Sequence, residues 1–441
     1  MRAGGTLCLE SVLDSQTLLS FIKQAPEKIP GKAVRSIEEE LLAFNSFGQD
    51  TRCLSTKAVS FEGKALEVPT FVNEFWTARQ RQAHSLHEIS YRACFKPQLP
   101  RFFIERLTQP GDVVYDPFMG RGTTLVEAAL LGRIPYGCDV NPLSAVLTRP
   151  RLSPPSLKEI SERLMQIDFS DVGGLPEDLL VFYHSETLQQ ISSLKKYLLL
   201  RAKSGTLDAI DDWIRMLAIN RLTGHSPGFF SVYTLPPNQA VSVKSQKKIN
   251  EKRNQTPAPR DVAKLILKKS RQLLGDCDSE TFKIIARVAP KACLLTQASA
   301  DTAEIKSNSV SLVVTSPPFL NVVQYADDNW LRCWFLGIDA KSVKLTVPKK
   351  LEAWQTAMTE VFRELHRVLK PGGHVAFEVG EVHGGKTKLE EAVLPCGIAA
   401  GLDPQLILIN DQKFTKTANC WGVDNNFKGT NTNRIVLFTK P

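Results

Sequence analysis

Two clusters in the 441-residue chain have residue types and spacing that suit chemistry. The first is Asp116-Pro117-Phe118-Met119-Gly120-Arg121-Gly122-Thr123-Thr124, which follows the apolar Val113-Val114-Tyr115 and leads into the helical run 125–131. Glycines in such a turn let the backbone approach a ligand, and the exposed N–H groups of the following helix favour an anionic group. It is not a Walker loop, since no Gly-Lys-Ser/Thr follows, and Leu125 stands where a dinucleotide fingerprint has its third glycine. A Gly-x-Gly by itself is as often a plain tight turn. Asp139, followed by Asn141-Pro142, favours a ligand, because an acid at the end of the next strand is placed to bind ribose hydroxyls. The second cluster is Thr315-Ser316-Pro317-Pro318-Phe319, directly after the apolar run 311–314. A serine hydroxyl and a proline carbonyl both accept hydrogen bonds from a ring-borne amino group, and an adjacent aromatic can stack on that ring. Paired prolines stiffen the turn and remove competing donors. Ser153-Pro154-Pro155 repeats the tripeptide with no apolar strand before it and Ser156 in place of the aromatic, and reads as a linker.

The elements that must hold these clusters follow from hydrophobic patterning. Residues 113–116, the glycine turn, the helix 125–131 and the strand 134–138 form a strand, turn, helix, strand unit of the kind that builds parallel sheets. Further apolar strands are expected at 292–297, 311–314, 374–379 (after the turn Lys370-Pro371-Gly372-Gly373), 406–409 and 435–438. About 150 residues between the two groups read as helices at 156–166, 185–201, 207–222 and 261–274, too long for a loop and therefore an insertion. The expected divisions are 1–89, a helical preface; 90–150, the first half of a core; 151–290, an inserted helical and basic region; and 291–441, the second half of the core. Ser36 with Glu39 reads as a capped helix start, and 71–82 as a packed helix or a groove wall.

Together the two clusters resemble motifs I and IV of the S-adenosylmethionine-dependent DNA amino-methyltransferases. The Ser-Pro-Pro-aromatic form is similar to the cytosine-N4 branch; adenine-N6 enzymes usually carry Asp or Asn in place of that serine. Phe95-Lys96-Pro97-Gln98-Leu99-Pro100-Arg101 resembles the family's motif X. The resemblance covers 90–141 and 292–438 and implies an α/β, Rossmann-like class I methyltransferase core with a mainly parallel seven-stranded sheet and an inserted, mainly helical region. It also implies S-adenosylmethionine as cofactor, bound by Phe95, Lys96, Pro97, Asp116, Phe118, Gly120, Gly122, Thr123, Thr124, Asp139 (ribose) and Asp301 (adenine amino group). Ser316, Pro317, Pro318 and Phe319 would hold the target amino group and its base. The chain departs from the family's usual orders in placing the long insertion before the third strand, which leaves open where target recognition resides. The expected activity is methyl transfer to the N4 amino group of a cytosine flipped out of double-stranded DNA. Adenine-N6 methylation, RNA amino-methylation and a non-catalytic nucleic-acid binder are the alternatives, and a restriction endonuclease partner is left open.

Composition bounds these expectations. With 43% hydrophobic and 23% charged residues the chain is of ordinary globular type, with length for two to four domains. No run of about 18 apolar residues suits a bilayer, and the start lacks a signal-peptide plan, so no membrane association and a cytoplasmic location are expected. Nine scattered cysteines form no Cys-x-x-Cys pair, and His84 with His87 lacks an evident third ligand, so no metal is expected. Pro395-Cys396 falls too late to be a carbon-5 nucleophile and reads as core. Trp330 and Trp334, four apart, share a helix face, with core packing the default. Residues 240–270 hold nine Lys/Arg against two acids, so +7 of the net +9 sits there. Within this run Lys244, Lys247, Lys248, Lys252 and Arg253 are the expected phosphate contacts, against the alternative of a solvated loop.

Overall fold

The computed structural model describes residues 36–77, 83–91, 94–170, 174–234, 240–318, 325–341, 343, 348, 350–382, 387–411 and 432–441, without the side chains of 325, 326, 381, 382 and 387. Phe319, residues 78–82, Cys8 and Cys420 lie outside the described residues. Within residues 36–41, Ser36 and Glu39 form the expected reciprocal cap of a short helix, Ile37–Leu42. The remainder, Leu42–Pro441, clusters as one compact unit.

Its frame, among the described residues, is a nine-stranded sheet. The strands are β1 (Arg52–Val59), β2 (Ala65–Asn73), β3 (Val113–Asp116), β4 (Ile134–Cys138), β5 (Cys293–Leu295), β6 (Val310–Thr315) and β7 (Leu369–Val379). After the small hairpin β8 (Glu381–Val382) and β9 (Thr387–Lys388) come β10 (Asp403–Asp411) and β11 (Thr432–Thr439). The order is β1-β2-β10-β11-β7-β6-β3-β4-β5. From β7 to β5 all neighbours are parallel, and β11 lies antiparallel between β10 and β7. Seven of these strands form the expected Rossmann-like core. The chain winds outward from β3 through β4 to β5, then returns to the other side of β3 for β6 and β7, so the direction of winding reverses between β3 and β6. Ligands of open α/β sheets bind at that reversal, beyond the carboxyl ends of the strands.

Three expectations need correction. The preface 1–89 is not simply helical: Arg52–Val59 and Ala65–Asn73 form an antiparallel hairpin whose second strand adds parallel to β10, so the sheet has nine strands, not seven. Its alternation is masked because β1 is exposed on nearly every position, and because Pro69 interrupts β2 just before the stretch Thr70–Asn73 that pairs with β10. Phe71, Phe75 and Trp76 are accordingly buried around the end of β2, and 71–77 is neither a helix nor an open groove wall. Lys370-Pro371-Gly372-Gly373 lies within β7, where a register shift against β6 and the positive φ of Gly372 absorb the irregularity.

The insertion occupies the crossover from β4 to β5. Its helices include Leu157–Gln166, Ser185–Lys203, Ala209–Arg221, Val243–Arg253, Val262–Leu273 and Ser279–Val288. Side-chain oxygens of Ser156, Asp208, Ser242, Asp261 and Asp278 satisfy first-turn N–H groups at helix starts, as short polar residues do. Trp213, Ile214, Ile191 and Leu194 share one buried cluster with Leu86, Tyr91, Val126, Leu143 and Leu331. The insertion is therefore packed onto one face of the core as part of the same unit, and its apolar surface is buried there rather than in a separate domain.

Candidate active site

At the reversal point, strand ends bring together residues 199 positions apart. Asp116 ends β3, is 1% exposed, and its Oδ1 accepts from the Phe118 N–H at 3.0 Å and the Thr315 hydroxyl at 2.6 Å. Burial drives this carboxyl up to about 7, against the opposing pull of those hydrogen bonds. The Thr124 hydroxyl donates to the Val314 carbonyl at 3.1 Å. The glycine turn is thus tied to the strand that delivers Ser316, Pro317 and Pro318.

Gly120 and Gly122 both take positive φ, 50° and 74°. Gly122 caps the helix Thr123–Leu130 without a side-chain acceptor for its first-turn N–H groups. A Cβ there would lie 2.3 Å from Thr148 Oγ1, so this glycine is required by packing as well as by its dihedral. Asp139 beyond β4 receives the Gly120 N–H on Oδ2 and the Asn141 N–H on Oδ1, both at 2.9 Å. Burial raises its pKa and these two donors oppose the rise. Each oxygen keeps a lone pair for a further donor. Asn141 caps the next helix through Leu143 N, with Pro142 at its first position, and donates to Tyr91 Oη at 3.1 Å. Thr123 and Thr124 are fully buried, the first accepting from Arg121 Nε at 3.1 Å.

The motif-X segment arrives beside this turn. Pro97 precedes the helix Gln98–Leu107, and Phe95 and Lys96 are half-buried. Burial first, then the neighbouring Arg121 charge, lower the Lys96 pKa. Arg101 Nη1 reaches Glu127 Oε1 at 2.8 Å and His87 Nε2 meets Glu127 Oε2 at 2.7 Å, a buried link between this helix and the glycine-turn helix. Burial pushes the His87 imidazole down to about 4, so it is neutral at ordinary pH. His84 instead accepts from Leu86 N as a cap, and among the described residues no group of three His, Cys, Asp or Glu could hold a metal. Asp301, exposed in the loop after β5, has its carbonyl bound by Gln297 Nε2 at 2.7 Å.

Other expectations fall outside this cluster. Lys244, Lys247, Lys248, Lys252 and Arg253 lie exposed on the helix Val243–Arg253, so the run is not a loop. Gln246 and Asn250 fix that helix to the carbonyls of Tyr233 and Val181, and Arg253 packs over the Tyr233 ring at 3.7 Å. Cys396 is fully buried in the helix Leu389–Ala399, and burial pushes its thiol up to about 11, which makes a thiolate nucleophile unavailable. Trp330 packs against Phe182, and Trp334 carries the Lys195 ammonium 4.2 Å from its ring. No helix of the described residues is long and apolar enough to cross a membrane.

Sequence reasoning missed Tyr91, Glu378 and Asn433. The signal for Glu378 is a lone acid in the apolar run 375–379, and buried carboxyls require partners. Its partners here are Ser316 and Asn433 of β11, whose Nδ2 donates to Glu378 Oε1 at 3.1 Å.

The N6_N4_Mtase family, described as DNA methylase, matches residues 45–145, a span holding β1, β2, the motif-X segment and the glycine turn. Type II methyltransferase M.MvaI of Kocuria varians is 26% identical over 250 residues, 52% of this chain and 52% of that protein. Both matches are to DNA methyltransferases. Type II methyltransferase M.BsoBI of Geobacillus stearothermophilus is likewise 26% identical over 317 residues, covering 63% of this chain and 58% of its own length. The matched regions thus span little more than half of these relatives. Among solved structures, TrmN from Thermus thermophilus aligns over 82% of this chain and 53% of that one at 12% identity, with a TM-score of 0.32.

Proposed function

We propose that this protein is a DNA amino-methyltransferase that uses S-adenosylmethionine to methylate the exocyclic N4 amino group of a cytosine in double-stranded DNA. One observation carries the reading: Ser316-Pro317-Pro318 leaves β6 across the reversal point from the glycine turn, and Thr315 and Asp116 hydrogen-bond the two together. Cofactor and target would then meet where this fold binds ligands. The residues fit the cofactor. Asp139 retains acceptor capacity for ribose hydroxyls, and the uncapped helix start at Gly122 offers N–H groups near the carboxylate end. Phe95, Lys96, Pro97 and Phe118 would enclose it, and Asp301 would take the adenine amino group.

S-adenosylmethionine supplies a methyl group on a sulfonium centre. Ser316 Oγ and the Pro317 carbonyl would accept the amino hydrogens and so orient the nitrogen lone pair, a positioning effect. When bound, the cofactor would supply this methyl with the thioether as leaving group, and the surplus amino proton would pass to solvent. Unstacking the base costs a few kcal/mol, partly returned by stacking on Phe319, worth on the order of 1–3 kcal/mol. The insertion would supply target recognition, with the exposed cations of Val243–Arg253 on phosphates.

Nucleoside mass spectrometry of DNA incubated with protein and labelled cofactor tests this. N4-methylcytosine is expected; N6-methyladenine would replace the base assignment, and label entering only structured RNA would replace the substrate.

A further inference from the structure

β7 runs parallel to β6 with Thr315 opposite Phe377, which brings Ser316 beside Glu378. On the other side, β11 runs antiparallel with Ile435 opposite Glu378 and Asn433 two residues earlier. Phe377 packs on Phe362 at 4.7 Å between ring centroids, so by strand alternation Glu378 turns to the opposite face of the sheet. There its carboxyl, 8% exposed, takes a hydrogen bond from Asn433 Nδ2 at 3.1 Å and faces Ser316 at the position just after β6, which helps hold its pKa down. Val375, Ala376, Phe377 and Val379 around it are all buried. A carboxyl here is costly unless it has a task, and its two partners are a strand-end amide and the serine that faces the target.

We propose that Glu378 is a positioning residue that sets the direction of the Ser316 hydroxyl. An ionised carboxyl only accepts, so Ser316 must donate its hydrogen to Glu378 and present bare lone pairs toward the cleft. That is the form able to accept a hydrogen from the exocyclic amino group. A protonated Glu378 donates to Ser316 Oγ instead, turns the serine hydrogen outward, and opposes the amino group. Asn433, donating to Oε1, favours the ionised state and leaves Oε2 for the serine. The inference rests on the methyl-transfer reading but not on which base is the target, since cytosine N4 and adenine N6 amino groups both donate.

Burial pushes the Glu378 pKa above its ordinary range, with the Ser316 and Asn433 hydrogen bonds opposing. A rate that needs the ionised form therefore falls as pH drops through that raised value. No charged side chain among the described residues adds to this shift. Titrating groups on the same strands and their neighbours include His374, four residues before Glu378 on the same face of β7 and lowered by burial, Lys370 at the start of β7, paired with Asp112, Asp116, bound through Thr315, and the buried Arg434–Glu390 pair between β11 and the helix Leu389–Ala399. The helix Leu351–Val368 presents Phe362 and Leu365 to the sheet, both apolar.

The test is the pH profile of kcat for wild type, Glu378→Gln, Glu378→Asp, Ser316→Ala and the Glu378→Gln/Ser316→Ala double variant, with cofactor affinity measured for each. Glutamine donates through its amide to Ser316 and mimics the protonated state at every pH. Expected is a fall in kcat of about 10-fold or more with cofactor affinity retained, loss of the acid limb, and partial recovery in Glu378→Asp. In the Ser316→Ala background Glu378→Gln should change kcat by less than about two-fold, because the two act as a unit. Equal losses with and without Ser316, or an acid limb that survives in Glu378→Gln, overturn the role of Glu378. If Glu378→Gln does not fold, Glu378→Asp alone and with Ser316→Ala carries the same comparison. Absence of any transfer by wild type at its best pH overturns the methyltransferase reading itself, a result separable from all of these.

Discussion

The strand ends at the reversal point and the basic helix Val243–Arg253 use polar residues in opposite ways. At the strand ends, Asp116, Asp139, Thr124 and Glu378 are sequestered, and each has a named partner within 3.1 Å. On the helix, Lys244, Lys247, Lys248 and Lys252 are exposed and held in place by Gln246 and Asn250 beneath them. Groups fixed in a poorly solvated site act through geometry, where displacement of about 1 Å can cost 100-fold in rate. Solvated cations act through summed charge, weakly each and in proportion to their number. Changes in the first region should therefore break function singly, and changes in the second only in aggregate.

The largest expected effect is at Ser316. Ser316→Ala removes the acceptor beside Pro317 while leaving the cofactor turn intact, so transfer should fall by about 100-fold or more with cofactor affinity within about two-fold. Single-turnover assays with equilibrium cofactor binding check this. A parallel loss of both would make Ser316 a structural residue and erase the contrast.

Next is Gly122. Alanine there combines a left-handed backbone with a Cβ within 3 Å of three Thr148 side-chain atoms. The penalty should be roughly 2–5 kcal/mol, from about 1–2 for the backbone and about 1–3 for overpacking. Cofactor binding and the thermal midpoint should fall together. Thr148→Ser, or a smaller residue, placed alongside Gly122→Ala should restore part of the stability if the clash is the cause.

Asp116 separates stability from function through pH. Its folded pKa of about 7 lies above its unfolded value, so between roughly pH 4 and 7 the folded state binds the extra proton and this group costs stability as pH rises. Asp116→Asn should therefore raise the thermal midpoint at pH 8, with the gain fading toward pH 4. The bonds from Thr315 and Phe118 to Oδ1 survive in an amide. A gain independent of pH would mean that Asp116 is not the buried, protonatable group described.

The two regions also differed in how openly they stood in the sequence. Strands 113–116, 134–138 and 310–315 were visible because buried parallel strands are short apolar runs, and the cluster at their ends because Gly-x-Gly and Ser-Pro-Pro interrupt those runs abruptly. The hairpin at 52–73 was not visible, since its first strand is polar on both faces and Pro69 sits in the second. Glu378 and Asn433 were legible only as unexplained polar residues in apolar strands. Which side chains they meet depends on β11 inserting beside β7, a non-local pairing that no local pattern encodes. The basic run was visible as charge but not as a helix, although Ser242 at its start and Asn254, with φ 45° at its end, are the cap residues that mark one.

The smallest effect per residue belongs to that helix. Lys244 and Lys248 lie one turn apart on one face with Lys252 continuing it, and Lys247 stands beside them. If they lie along phosphates, converting Lys244, Lys247 and Lys248 to glutamine should weaken DNA binding about equally for any sequence. It should also reduce the slope of log affinity against log salt by up to about 0.9 for each lysine lost. The maximal rate at saturating DNA should hold, because none of these residues belongs to the strand-end network. A lowered slope with an unchanged rate sharpens the division between a helix that holds DNA by charge and strand ends that work by position. An unchanged slope returns the helix to an ordinary solvated surface and moves the search for the DNA contact to another face of the insertion. A lowered rate at saturation would mean that the two regions are coupled, through Tyr233 and Val181 beneath the helix, and that the contrast between them is one of exposure rather than of role.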